Sequence, residues 1–236
     1  LRRQQGDGRS MTAAFQQYVS FGVNCETAFQ MRRVLGRDSA SFFSWNVTRF
    51  RALLSLLDSD FGGILQRDNL SYDPKSGLIH DTSHDYWLHS PFAADEPWTG
   101  AVFEEKLTQL RGKMAYLAEK FRRNASSGAR TVYFYRTEER EDLRRNAAAL
   151  RDCLRKWHGG GGSFVLVVLQ HEKYREPSWR EAGMFNRYLA RCAPWSDASD
   201  GHVRSWDAVF AEFPHQEPLR LAGFNKAAAS PSFLAA

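Results

Sequence analysis

The chain has 236 residues, 43% hydrophobic and 14% aromatic, enough to bury a substantial core in one globular domain and too apolar for a disordered chain. Its net charge is +5, but the 32 basic residues are interleaved with 27 acidic ones, as in "TEEREDLRR" at 137–145; this pattern suits a solvated helix face and argues against a nucleic-acid partner. Cys25, Cys153 and Cys192 form neither a disulfide framework nor a CxxC knuckle, and no apolar stretch approaches the about 20 residues of a membrane span, so a cytoplasmic protein is expected.

Taken in order, residues 1–14 are expected to be a flexible tail, 15–225 a single α/β domain, and 226–236 a second flexible tail. The stretch "QYVSF" at 17–21 predicts a strand, and Gly22 supplies the permissive backbone for a turn out of it. From Cys25 to Leu35, Ala28, Met31 and Leu35 recur at helical spacing, with Arg32 and Arg33 near the C-terminal end where cations suit the dipole. The aromatic "SASFFSWNV" at 39–47 predicts a second strand or extended buried segment, with Phe42, Phe43 and Trp45 in the core by default, and a helix follows over 48–61.

Residues 66–99, with Pro74, Pro91, Pro97 and a cluster of histidines, predict no regular element; a loop that long in a compact domain is often functional. Phe103, Leu107, Leu110, Met114, Leu117 and Phe121 then mark one stripe of a long helix. "TVYFY" at 131–135 predicts a strand, and Leu143, Leu150, Leu154 and Trp157 the inner face of another helix, with Cys153 at its border. "GGGG" at 159–162 follows a helix and precedes a strand, the order of a C-cap rather than a phosphate loop. The apolar run at 163–169 fits a strand covered on both faces, 179–192 a helix, and 202–213 a short strand and helix. The alternation predicts a three-layer α/β fold with a mainly parallel sheet and a long irregular active-site loop.

"FGVNCE" at 21–26 runs from strand through glycine into a helix, so Cys25 meets unpaired amides and the positive end of a dipole, which favour a thiolate. Those amides, with Asn24, could also stabilise an oxyanion. A buried structural cysteine accounts for the same spacing equally well. A nucleophile needs a base, and "LIHDTSHDYWLHSPF" offers His80, His84 and His89, with Asp81 and Asp85 to orient an imidazole. The same three histidines could hold a metal, but they lack HExxH spacing, and the stretch could also be an ordinary surface loop.

In this order of features the chain resembles a bacterial domain family of unknown function described as papain-like cysteine peptidases. That family carries a strand, a serine-leucine-glycine turn, two intervening residues, a cysteine and a helix, matched by Ser20, Phe21, Gly22, Val23, Asn24 and Cys25. Its Pro-Phe-Asp-Trp segment is matched by Phe42, Phe43, Ser44 and Trp45, and its His-Asp-Phe step by His84, Asp85 and Tyr86. The match spans roughly residues 17–170 and departs where Ser44 replaces Asp and Phe42 replaces Pro. A papain-type fold is mainly an antiparallel barrel, whereas a nucleophile at the first strand-to-helix turn of a parallel sheet also resembles SGNH-type hydrolases and acyltransferases.

The resemblance implies a cysteine hydrolase acting through a Cys-His acyl-enzyme on a peptide or on an acylated small molecule or carbohydrate. Cys25 attacks, His84 carries the proton with His89 as its substitute, and Asp85 or Asp81 orients the imidazole; Asn24, Gly22, Ser44, Trp45 and His89 line the site. No cofactor or metal is expected. The alternatives are a cysteine-dependent, SGNH-like acyltransferase acting on a polysaccharide, a non-catalytic α/β module binding a carbohydrate or protein, and a hydrolase with a metal held by the three histidines.

Overall fold

A computed structural model describes residues 14–92, 98–160 and 163–222. The tails expected at 1–14 and 226–236 lie outside the described residues, apart from Ala14. The chain opens with strand β1 (Gln17–Gly22) and helix α1 (Glu26–Leu35). A two-residue strand β2 (Asn46–Val47) and helix α2 (Phe50–Asp58) follow, then strands β3 (Leu70–Asp73), β4 (Leu78–Asp81) and β5 (Tyr86–His89). Helix α3 (Gly100–Ser126), strand β6 (Thr131–Arg136), helix α4 (Leu143–Trp157), strands β7 (Phe164–His171) and β8 (Met184–Leu189) and helix α5 (Val203–Glu212) complete the order. The fold is α/β: a parallel four-stranded sheet in the order β1-β6-β7-β8, with an antiparallel sheet in the order β2-β5-β4-β3 and five helices among the described residues.

Period-2 alternation divides the parallel strands between two apolar clusters. Val19 and Phe21 of β1, Tyr133 and Tyr135 of β6, and Leu166 and Val168 of β7 pack with Leu53 and Leu56 of α2, Leu107 and Phe121 of α3, and Leu150 and Leu154 of α4. Tyr18, Val132, Phe134, Val167 and Leu169 pack instead with Met31 and Val34 of α1 and Trp206 and Phe210 of α5. The stripe expected on α3 is buried throughout, from Phe103 to Phe121. α4 ends as its glycines suggest: the amide of Gly160 returns to the Arg155 carbonyl, with Gly159 and Gly160 at φ 65° and 77°.

Three expectations are corrected. The aromatic segment is mostly turn, with strand only at Asn46–Val47; Phe42 and Phe43 are nevertheless core, Phe43 meeting Phe21 edge-on at 4.8 Å. Residues 70–89, expected to be irregular, form two hairpins whose strands are four residues long, joined by turns at 74–77 and 82–85. Residues 184–189, expected to be helical, form edge strand β8, parallel to β7. The β7–β8 crossover contains no α-helix; it is fixed by Trp179, which is buried and whose amide donates to Asn186 Oδ1 at 2.9 Å.

The two sheets meet at Gly22. Its carbonyl accepts the Thr48 amide at 2.9 Å, which hooks the end of β2 onto the carboxyl end of β1. Gly22 has φ 151°, and a Cβ there would lie 2.5 Å from the Arg136 carbonyl oxygen of β6. Gly22→Ala is therefore expected to destabilise the protein by roughly 1–3 kcal/mol. Urea unfolding measures this, and an unchanged midpoint would contradict the close approach.

Candidate active site

The backbone leaves β1 through an Asx-type turn: Asn24 Oδ1 accepts the Glu26 amide at 3.1 Å, and the Cys25 carbonyl accepts the Phe29 amide at 3.0 Å. Cys25 thus takes the N-cap position of α1, at the carboxyl edge of the parallel sheet. From the other sheet, β5 pairs with β2, Asn46 opposite Leu88. That pairing carries His89, the last residue of β5, to the thiol: Cys25 Sγ lies 3.6 Å from His89 Nε2.

Burial dominates the electrostatics of this pair. It pushes the Cys25 thiol up to about 11, against the helix N-terminus that was expected to favour a thiolate. Burial, and then the charge of Lys113, lowers the His89 imidazole below its ordinary value. Both shifts favour the uncharged forms of the pair, the thiol and the neutral imidazole.

The other expected site residues stand as follows. His84 does not reach Cys25: its Nδ1 accepts from Ser55 Oγ at 2.7 Å and its Nε2 donates to the Gly62 carbonyl at 2.7 Å, so both ring nitrogens tie α2 to the turn that follows it. Asp85, at φ 55° in the β4–β5 turn, binds His80 Nε2 at 2.8 Å, and His80 stacks on Trp87 with centroids 4.1 Å apart. Asp81 is buried and accepts the Leu65 amide at 2.6 Å and the Ser83 hydroxyl at 2.5 Å. Neither carboxylate orients His89, and no carboxylate contacts it among the described residues.

Ser44 is a buried turn hydroxyl, 3.1 Å from Ser20 Oγ and accepting the Ser41 amide at 2.8 Å. Trp45 is half-buried, edge-on to Phe29 of α1 at 5.1 Å and 4.7 Å from the guanidinium of Arg32 in the last turn of that helix. The oxygen of Asn24 is committed to Glu26, which leaves its NH2 as the donor on that side chain. The three histidines sit in three different settings, and among the described residues no group of three or more His, Cys, Asp or Glu gathers in metal-binding geometry.

Sequence reasoning missed a buried ion pair at the start of α1, one residue after Cys25 in sequence and next to the Cys192 side chain. Glu26 and Arg136 are 0% and 1% exposed at the ion-pairing groups, with Glu26 Oε2 3.3 Å from Arg136 Nε. Trp206 Nε1 donates to Glu26 Oε1 at 2.9 Å, and Arg136 Nη1 donates to Glu138 at 2.9 Å. The residues lie 110 positions apart, so no spacing links them; the available signal was an arginine directly after an apolar strand, at its carboxyl end. Among the described residues no helix is long and apolar enough to cross a membrane. Compared with known proteins, the chain matches no family model, no curated protein and no solved structure.

Proposed function

We propose that the chain is a cysteine-dependent acyl-transfer enzyme, most simply a hydrolase, in which Cys25 is the nucleophile and His89 its general base. The observation that carries this reading is the 3.6 Å contact between Sγ and Nε2, formed by the residue that caps α1 at the carboxyl edge of the parallel sheet and the last strand residue of β5 in the other sheet. Cys25 Sγ forms a bond to the acyl carbon while its proton moves to His89 Nε2. The tetrahedral oxyanion is met by the Asn24 NH2 and the Cys25 amide. Collapse expels the leaving group, which takes the proton from His89, and water drawn to the same imidazole then cleaves the thioester. The resemblance to papain-like cysteine peptidases supports this chemistry, and a peptide substrate rests on that resemblance alone.

The opposite alternation of the two core clusters supports a three-layer arrangement, with the β2–β5 sheet supplying the base in place of an irregular active-site loop. One observation favours a second reading. A thiol pushed up to about 11 by burial suits a structural cysteine in a non-catalytic module that binds a carbohydrate or protein.

The two readings separate on an activated ester. Treatment with p-nitrophenyl acetate, followed by intact-mass and peptide analysis, is expected to place a single acetyl group on Cys25 and none on that peptide in Cys25→Ala. If Cys25 stays unmodified in the folded protein, p-nitrophenol is released no faster than by Cys25→Ala, and the thiol acetylates only after denaturation, the catalytic reading fails.

A further inference from the structure

β6 and β7 end side by side at the carboxyl edge of the parallel sheet. The loop that leaves β6 enters α4 at Leu143, and the turn that leaves β7 covers 172–174. Between them lies an open cleft of about 560 Å³, within the roughly 300–1,000 Å³ range of small-molecule sites. Five basic side chains line it against two acidic ones.

Pairing decides which of these charges are available. Arg144 is held by Glu181 at 2.6 Å and Arg145 by Asp142 at 2.5 Å. Arg140, Lys173 and Arg175 have no carboxylate partner among the described residues; Arg140 and Lys173 lie 4.9 Å from the Tyr174 ring, and Arg175 lies 4.9 Å from Tyr188. Three unneutralised cations around one concavity are the complement of a polyvalent anion.

A second, independent observation comes from Gln170, which is 5% exposed and lines the same cleft. Its Nε2 donates to the Glu139 carbonyl at 2.8 Å, so the amide orientation is fixed and Oε1 has no partner among the described residues. That oxygen is an acceptor for a hydroxyl or amino group of the ligand.

We propose that this cleft binds a phosphate-bearing small molecule, its phosphate held by Arg140, Lys173 and Arg175 and a donor group of the same molecule by Gln170. Concavity favours a small ligand over a nucleic-acid backbone, which needs an extended basic track. The site shares no residue with the Cys25–His89 pair, so it stands or falls independently of the acyl-transfer reading.

Inorganic pyrophosphate is the probe, titrated calorimetrically into the wild-type chain, into Arg140→Ala/Lys173→Ala, and into Arg204→Ala on α5 as a surface-charge control. One saturable site is expected, weakened at least about tenfold in the double variant and unchanged in Arg204→Ala. These side chains are exposed, so the fold is expected to survive, and circular dichroism verifies it. The absence of a saturable site, or equal weakening in Arg204→Ala, overturns the proposal. So does a duplex oligonucleotide that binds through Arg140 and Lys173 and is not displaced by pyrophosphate, an outcome that assigns the face to nucleic acid.

Discussion

Glu26→Ala is expected to destabilise the protein by roughly 3–5 kcal/mol, the cost of leaving one partner of a buried ion pair uncompensated. Arg136 is 1% exposed as the last residue of β6, so removing Glu26 leaves its charge buried without its buried partner. Glu138, a second carboxylate beside it, is 72% exposed and offsets little of the lost charge. Trp206 would also lose the acceptor for its indole N–H, and the space against Gly201, where the carboxylate now packs, would open. Replacing both charges, as in Glu26→Met/Arg136→Met, is expected to recover much of the loss, because the desolvation of each ion disappears with it. Chemical denaturation of the three proteins provides the test. A loss below about 1 kcal/mol for Glu26→Ala would contradict the buried-pair account.

His89→Ala is expected to slow acylation of Cys25 by about 10²–10⁴-fold at neutral pH, the usual contribution of a positioned general base. The thiol is held neutral by burial, so without the imidazole nothing near it accepts the proton as sulfur attacks. His89 is the end residue of β5, its ring covered on the thiol side while much of the residue faces solvent, so the variant's fold is expected to survive. His80→Ala, whose imidazole pairs with Asp85, is the matched control and should acylate at the wild-type rate. A His89→Ala rate within a few-fold of wild type would leave Cys25 without a base.

Much of this arrangement was legible in the sequence. Glycine after "QYVSF" and helical spacing from Cys25 placed the thiol at a strand-to-helix turn, and the structure has Cys25 there. The histidine at the thiol was harder to name, because the hairpin register decides it. Asp81 pairs with Tyr86, which puts His84 inside the β4–β5 turn. His89 lies five residues further along, at the opposite end of β5 where β2 and Cys25 meet it.

The hairpins themselves had a local signature that the prolines obscured. Ile79 and Leu88 alternate with His80 and Trp87 on the two faces, and Pro74 falls in a turn rather than in a strand. β8 was hidden for another reason: its pairing with β7 and the clamp of Asn186 on the 177–179 crossover are tertiary, and its own apolar spacing fits a helix as readily. The Glu26–Arg136 pair and the cations of the 140–175 cleft are likewise brought together only by the order of strands in the sheet.

The most direct measurement is the rate of Cys25 acetylation by p-nitrophenyl acetate as a function of pH, in wild type and in His89→Ala. General-base activation requires neutral His89, whose ionisation burial and Lys113 have moved below the ordinary ~6.5. The wild-type rate should therefore rise as pH climbs through that lowered value and stay level until the thiol itself ionises near 11. The variant should show only the upper rise. Superimposable profiles for the two proteins would contradict the pairing of Cys25 with His89 as nucleophile and base.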